Sequence, residues 1–496
     1  MPQNQIVWFK RDLRILDHLP LANALARGPT LALYVLEPGL WAKPDRSWKQ
    51  WQFLRGCLDD LDARLRDAGG SLTVVIGDVV GVLDQLNREH ATFTLHAHEE
   101  TGNDWTFRRD IRVADWCAAH GVEFVETPQF GVFRRLAKRD GWARRWRTHM
   151  QQPLTTLGPT RRWLRTTLTS DSAWRDWVPP VSPEPGFTPR TGRHVAEATL
   201  HSFLLSRGEQ YQNAMSSPLT AEAGCSRLSA DLAHGTLSMR ELTQSTWRRQ
   251  EQIRALAPPH RGHWGKSLHA FQGRLHWHCH FIQKLESEPR IEFENLVRAY
   301  DGLRETEFDQ LKFDAWCEGR TGYPFVDACM RSLAATGWLN FRMRAMLVSF
   351  AAYDLWLHWR EPSLHLARLF VDYEPGIHYS QMQMQSGTTG MNTVRIYNPI
   401  KQSSDHDPNG EFIRRWIPEL APLPDETIHQ PWQTPATDQQ RLGCVIGKHY
   451  PTPIVDHGQA ARIARSRVYA VRRTPKAREE SKAVVERHAS RRRARR

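Results

Sequence analysis

The sequence predicts an N-terminal α/β domain built on a doubly wound parallel sheet, followed by an all-α domain. In residues 1–128, short apolar runs alternate with segments of helical periodicity, which is typical of parallel sheets. After residue 200 the helical period dominates to about residue 470. The 496 residues are also enough for two or three domains.

The first domain, 1–128, contains five predicted strands at 6–9, 31–36, 72–76, 93–97 and 122–125. Helices are predicted between them, for example at 48–67 and 103–120. No GxGxxG follows the first strand, so a standard dinucleotide site is not supported there.

Residues 129–200 are predicted to be an interdomain linker, in which arginines alternate with Trp142 and Trp146. Such a segment either binds nucleic acid or is a connector packed through its tryptophans. A helical domain follows over 201–470. Residues 471–496 form a basic tail that we expect to be disordered.

The net charge of +13 is concentrated in that tail, whose eleven Lys/Arg and three Glu give +8. The tail is either a phosphate anchor or a solvated segment without a partner. Seven scattered cysteines without a CxxC pair argue against disulfides, structural zinc or an iron–sulfur cluster. No apolar run approaches the roughly 18 residues of a membrane helix. No secretory leader is recognisable, so we expect a cytoplasmic protein.

The segment 319–360 organises the helical domain. A helix with Phe325, Cys329 and Leu333 on one face is predicted to end at Gly337. A second helix is predicted over about 340–359. Arg342 and Arg344 stand at its start, where cations oppose the helix dipole, so we expect an acidic partner.

Three motifs carry a family resemblance: GRTGYP at 319–324, the Arg-x-Arg pair at 342–344, and GEFIRRWIPEL at 410–420. Together they resemble the photolyase/cryptochrome flavoprotein family, as a divergent bacterial-type member. The resemblance implies that the helical domain binds FAD. The opening WFKRDLR at 8–14 resembles the start of the family's N-terminal domain, which can hold a second, antenna chromophore of unknown identity.

A small, hydroxyl-bearing loop at 224–229 precedes a helix, where it either binds phosphate or provides an ordinary N-cap. It resembles the family's Thr-Ser-x-Leu-Ser flavin-phosphate loop, with Cys225 in place of the threonine. The cofactor-binding residues implied by the resemblance are Tyr211, Cys225, Ser226, Arg227, Leu228, Ser229, Phe271, Arg274, His278, Trp338, Arg344, Asp372, Glu374 and His378.

His276 and His280 share a helical face at metal-ligand spacing, but no third ligand is evident, so no metal site is predicted. His378 aligns with the position that faces the flavin in the family. It either titrates there or is an ordinary hydrogen-bonded residue.

The resemblance also assigns catalytic and DNA-binding residues. Trp277 matches the tryptophan that stacks on the lesion, and Trp359 matches the middle of three electron-transfer tryptophans. Met382 and Thr306 stand where the other two are expected, and Arg274 replaces a glutamate that contacts pyrimidines. The DNA-binding residues implied are Trp277, Asn340, Phe341, Arg342 and Arg395.

The predicted function is light-driven, FAD-dependent repair of pyrimidine dimers in DNA, which requires the dimer to be flipped out of the helix. We expect a monomer that associates with no membrane. One alternative is a cryptochrome-like blue-light photoreceptor without repair activity. Another is a DNA-binding flavoprotein with no light chemistry.

Overall fold

The structure is a computed structural model that describes residues 3–136, 138–159, 162–168, 173–184 and 186–489. Its N-terminal domain contains a five-stranded parallel sheet in the order β3-β2-β1-β4-β5. The strands are β1 Asn4–Phe9, β2 Thr30–Leu36, β3 Leu72–Ile76, β4 Phe93–His98 and β5 Glu123–Thr127. Each predicted strand is confirmed to within two residues at either end.

Helices cover both faces of this sheet, because alternate residues of each strand point to opposite sides. In β1, Val7 and Phe9 join one buried cluster, and Ile6 and Trp8 join the other. The helices are α1 Leu19–Arg27, α2 Pro38–Trp41, α3 Trp48–Asp67, α4 Val79–His90 and α5 Asp104–His120. The doubly wound fold predicted from the sequence is therefore confirmed.

The described part of the segment predicted as a linker, 129–200, contains the short helices α6 Trp142–Gln151 and α7 Ala173–Asp176, and a third helix begins in it at Arg193. Trp142 and Trp146 are buried in a cluster with the aromatic side chains Phe203 and Phe271 of the helical domain. These two tryptophans therefore serve packing and are not available to stack on bases.

Helices form the rest of the described chain, in agreement with the predicted all-α domain. They are α8 Arg193–Leu205, α9 Tyr211–Ala214, α10 Pro218–Gly224, α11 Ser229–His234, α12 Met239–Ala255, α13 Trp264–Ser287, α14 Gln310–Cys317, α15 Pro324–Thr336, α16 Phe341–Ser349, α17 Arg360–Leu369, α18 Pro375–Ser386, α19 Pro399–His406, α20 Glu411–Trp416, α21 Asp425–Ile428, α22 Ala436–Arg441, α23 His457–Arg472 and α24 Pro475–His488.

The predicted helix over 340–359 is wrong in its second half. Helix α15 ends as expected at Gly337, with φ 70°. Helix α16 stops at Ser349 and passes into a π-helical turn, and Trp356 then adopts a φ of 57°. Leu357 and Trp359 are buried although they lie outside the helix. Because the loop after α16 is buried, its apolar residues continue the helical pattern of the sequence, and the pattern does not show where the helix ends.

The expectation of a disordered tail is wrong for 475–488. Helix α24 packs on the segment after α13, where His488 Nε2 lies 2.5 Å from Glu288 Oε2 and Glu480 accepts the Ala299 N–H at 2.8 Å. A charge count does not reveal these contacts. The arginines of 491–496 lie outside the described residues. No helix in the described part of the chain is long and apolar enough to span a membrane.

Polar contacts join the two domains. Gln50 of α3 donates to the Ala367 carbonyl at 2.7 Å, and Tyr373 donates to Asp45 at 3.0 Å. Ser238 donates to Asp17 at 2.6 Å. These contacts fix the helical domain against the carboxyl edge of the sheet.

Candidate flavin and DNA cleft

The loop before α11 is held by an arginine from another element. Arg207 donates through Nη2 to the Ser226 carbonyl at 2.7 Å and through Nη1 to the Cys225 carbonyl. Leu228 occupies the N-cap of α11, and no side chain caps that helix. The alternative of an ordinary serine N-cap is therefore not supported.

Arg227, in the middle of this loop, has a φ of 62°, which is uncommon for a residue with a side chain. Its guanidinium lies 3.9 Å from the centre of the Trp338 ring. The two residues come from distant parts of the sequence and form one cationic, aromatic wall. A strained backbone that serves such a wall is typical of a ligand site.

Arg344 and Asp372 form a bidentate pair, with Nη1–Oδ1 at 3.0 Å and Nη2–Oδ2 at 2.8 Å. The Arg344 guanidinium also lies 4.0 Å from the Phe370 ring. Burial raises the pKa of Asp372, but the Arg344 charge and hydrogen bonds from Arg344 and Ser229 outweigh it, so the net shift is downward. The acidic partner expected for the start of α16 is thus Asp372.

Four guanidinium groups act on Cys225: those of Arg207, Arg227, Arg274 and Arg344. Burial raises the pKa of Cys225 to about 11, although these four charges oppose the shift. The thiol is therefore neutral at pH 7. The surrounding positive charge suits an anionic group such as a diphosphate.

Glu374 and the two predicted histidines lie deeper in the protein. Glu374 pairs with Arg11 from the N-terminal domain. Burial lowers the pKa of His278 to about 3 and that of His378 to about 4, so both rings are neutral at pH 7. His378 Nε2 lies 2.9 Å from the Ser363 carbonyl, which fits the hydrogen-bonded interpretation.

Two large aromatic side chains stay exposed beside Arg274, and we call these three residues the mouth of the candidate cleft. Trp277 is 49% exposed and Phe341 is 42% exposed. The Arg274 guanidinium lies 4.8 Å from the Trp277 ring and 5.2 Å from the Phe341 ring, between the two. Stacked cations and exposed rings of this kind form platforms for nucleobases.

Other predicted residues have different places. Tyr211 and Phe271 are buried, with ring centres 5.7 Å apart, and form the inner wall. Asn340 is 2% exposed and donates to the Met215 and Ser216 carbonyls at 3.1 and 3.0 Å, so it supports the mouth from inside. Arg342 is half-buried, and Arg395 is exposed.

His276 and His280 pack against Trp142, at ring distances of 4.8 and 5.7 Å. Sequence reasoning missed another histidine cluster, in which Asp12, His18 and His98 lie close enough to hold a metal ion. One oxygen of Asp12 is 2.9 Å from His18 Nε2 and 2.6 Å from His98 Nδ1. Hydrogen bonds therefore account for this cluster without a metal.

Trp359 is fully buried, and its Nε1 donates to Asn295 at 2.8 Å. The structure brings Tyr379 to within 6.5 Å of its ring, and the Tyr379 and Tyr373 hydroxyls are 3.2 Å apart. Met382 is buried and Thr306 is exposed. Only the folded chain could reveal this tyrosine neighbour.

Comparisons with known proteins agree with this architecture. Residues 5–170 match the family model described as "DNA photolyase", and residues 271–470 match "FAD binding domain of DNA photolyase". The chain belongs to the photolyase/cryptochrome family. The loop at 225–229 lies between the two matched segments.

Individual relatives match over nearly the full length. A deoxyribodipyrimidine photo-lyase of Vibrio cholerae is 28% identical, over 92% of this chain and 98% of its own. A cryptochrome DASH of Natronomonas pharaonis is 27% identical, over 91% and 98%. The crystal structure of a class III photolyase from Agrobacterium tumefaciens superposes with a TM-score of 0.81 at 26% identity, over 96% and 98%.

The helical domain is thus an FAD-binding domain by family, and its side chains fit that cofactor. The guanidinium groups of Arg207, Arg227 and Arg274 have no carboxylate within ion-pair distance among the described residues. An arginine in an ion pair already has its counter-ion, whereas stacked cations without counter-ions favour an anionic ligand.

Proposed function

We propose that the protein is a flavin-dependent DNA photolyase that repairs pyrimidine dimers in light. The observation that carries the proposal is the mouth formed by Trp277, Arg274 and Phe341, beside the Arg227–Trp338 wall. Exposed aromatics receive flipped-out bases, and the cationic wall holds the cofactor.

Different residues of the chain would bind different parts of the cofactor. Ser226 and Arg227 would hold the diphosphate, while Arg344 and Asp372 would orient the ring system through their fixed pair. When bound, reduced FAD excited by light would supply an electron that opens the cyclobutane ring and then returns to the flavin. The inner wall of Tyr211 and Phe271 keeps water from that side.

DNA would approach the exposed mouth. Trp277 and Phe341 offer faces to the flipped-out bases, and Arg342 and Arg395 offer charge to phosphates. Asn340, because it is buried, would act by positioning the start of α16, where Phe341 lies. We expect the protein to bind DNA as a monomer.

We further propose that Trp359 and Tyr379 form the electron route that reduces the flavin, since Met382 is a poor one-electron donor. On losing an electron to Trp359, Tyr379 would release its phenolic proton to the Tyr373 hydroxyl, and the proton of Tyr373 would move to Asp45, 3.0 Å away. Replacing Tyr379 with Phe should slow light-dependent flavin bleaching. An unchanged bleaching rate would remove Tyr379 from the route.

The photoreceptor remains the second candidate, because Arg274 has only hydrogen-bond donors. A glutamate at this place can accept a pyrimidine N–H, which an arginine cannot.

One experiment separates the two candidates. Two samples of the protein loaded with FAD, one chemically reduced beforehand and one left oxidised, are illuminated with blue light in the presence of an oligonucleotide that contains one thymine dimer. Restored thymines, measured by chromatography, support the photolyase. Flavin photoreduction without restored thymines supports the receptor. The variant Trp277→Ala is the control that should lose repair and keep FAD.

An antenna chromophore is also a proposal. It would occupy the crevice at the carboxyl ends of the strands, between β1 and β4, where the strand order reverses. A cavity at this end of the sheet, over the ends of β1 and β2, measures about 70 Å³ and is lined by Arg11, Glu37, Glu100 and Arg109. Ligand pockets usually measure about 300–1,000 Å³. A bound antenna would therefore require these side chains to move, and an absorption spectrum of the purified protein tests for it.

A further inference from the structure

Helix α13 carries an exposed stripe of four residues: Lys266, His269, Gly273 and Trp277. Lys266 and Trp277 are separated by three turns, so they face the same side, roughly 16 Å apart along the axis. We call these residues the α13 stripe. Trp277 joins it to the mouth of the cleft.

The N-terminal end of the stripe opens on a cavity of about 400 Å³ between α12 and α13. Arg254, Arg261, Lys266 and His269 line this cavity, and no Asp or Glu does. Arg261 donates to the carbonyls of Leu256 and Arg254, at 2.9 and 2.8 Å. The side chains of Arg254, Lys266 and His269 make no hydrogen bond or ion pair within the part of the chain that the structure describes.

The nearest carboxylates do not neutralise this cavity. Glu251 is exposed three positions before Arg254 and forms no ion pair with any described residue. Glu209 accepts the backbone N–H of His263 at 3.1 Å and lies beside Gly262. The cavity therefore has a net positive charge, in a protein whose cations are often paired with acids.

Two glycines give an independent sign of a ligand. A Cβ atom added at Gly265 or Gly273 would meet no heavy atom within 4 Å. Packing therefore does not require glycine at either place, although glycine inside a helix is unfavourable. Glycine on an open face permits close approach of another backbone. Gly273 lies between the cationic cavity and Trp277.

We propose that the α13 stripe and its cavity bind the sugar–phosphate backbone of a DNA strand that leads to the mouth of the cleft. Arg254, Arg261 and Lys266 contact phosphates, and the backbone passes over Gly273. The stripe is long enough for about five base steps at 3.4 Å each. This inference rests on the proposed action on DNA, but it does not depend on light chemistry.

The test measures dark binding of an undamaged 20-base-pair duplex between 50 and 250 mM NaCl, by fluorescence anisotropy. The double variant Arg254→Ala/Lys266→Ala should lower the slope of log Kd against log salt by about 1.8, because each lost phosphate contact contributes about 0.9. Affinity at 150 mM should fall about tenfold or more. The matched control, Arg88→Ala/Lys448→Ala, removes two exposed cations elsewhere and should change the slope by less than half as much.

A second variant, Gly273→Gln, separates binding from folding. It should keep or raise the melting temperature, since glutamine favours helix, and weaken duplex binding at least threefold. A parent-like slope in the double variant, or parent-like affinity in Gly273→Gln, overturns the inference. Loss of inorganic pyrophosphate binding in the double variant with an unchanged DNA slope also overturns it, since the cavity would then be a small-anion site. If dimer repair fails in the parent while both variants behave as expected, only the proposed light chemistry is refuted.

Discussion

The crevice of the N-terminal domain and the cleft of the helical domain both concentrate arginines, but in opposite ways. In the crevice, Arg109 contacts Glu37, Glu100 and Asp110 at 2.8–2.9 Å, and all four side chains are buried. In the cleft, Arg227 and Arg274 lie on aromatic rings and keep some exposure. Buried, fully paired charges hold a structure together, whereas stacked and half-exposed charges remain available to a ligand.

The largest effect is expected in the crevice. Arg109→Ala would remove the ion pairs of the buried Glu37 and Glu100, while Asp110 keeps Lys10 at 2.6 Å, and should lower the free energy of unfolding by about 3–5 kcal/mol. Urea denaturation measures this change. The control is Arg112→Ala on the same helix, whose pair with Asp78 is half-exposed and should matter little. Equal effects of the two variants would contradict the comparison.

A substitution in the cleft should change ligand affinity and leave the stability of the fold nearly unchanged. Arg227→Ala should weaken FAD binding by about 10- to 150-fold, which corresponds to about 1.5–3 kcal/mol for a charged hydrogen bond. Its unfolding curve should stay close to that of the parent, because no carboxylate loses a partner. Flavin fluorescence titration gives the affinity, and the exposed Arg465→Ala is the control. If Arg227→Ala lowers the free energy of unfolding and leaves the FAD affinity unchanged, Arg227 stabilises the fold and does not bind the cofactor.

The histidine cluster beside the crevice predicts a pH dependence. Burial and the nearby His18 lower the pKa of His98 from 6.5 to about 3, against the hydrogen bond to Asp12. The folded protein keeps this ring neutral, so the full stability is present above pH 6.5, where the ring is neutral in the unfolded chain as well. This stability is lost as the pH falls toward 3, by at most about 1.4 kcal/mol per pH unit.

This slope can be tested by urea denaturation at several pH values. His98→Gln should flatten the decline between pH 6.5 and 3, whereas His194→Gln, at an exposed site, should not. An unchanged slope in His98→Gln would assign the acid sensitivity to other groups.

The smallest expected effect concerns the mouth. Arg274→Gln removes a cation stacked near two exposed rings, which is worth about 0.5–1 kcal/mol, and should weaken binding of an undamaged single strand by about two- to fivefold. Anisotropy at constant salt measures it, with Arg465→Gln as the charge control. Tighter binding would indicate that Arg274 closes the mouth instead of forming part of it.

Much of the site was predictable because its residues carry local or motif signals. The loop at 225–229, the Arg344–Asp372 pair and Trp277 were predicted from motifs, and the pair is present in the structure. The partners that complete the site were not predictable, because they come from distant segments. Arg207 clamps the loop at 225–229, Arg11 crosses from the other domain to Glu374, and Tyr379 reaches Trp359.

The sequence by itself determined the sheet, its helices and the family, because strand alternation and helical period are local properties of the chain. Only the tertiary structure decided where α16 ends, that 475–488 is helical, and which arginines are paired. These outcomes depend on contacts between segments hundreds of residues apart, such as His488 with Glu288 and Arg11 with Glu374. Burial and long-range pairing decide these outcomes, and neither can be deduced from the spacing of neighbouring residues.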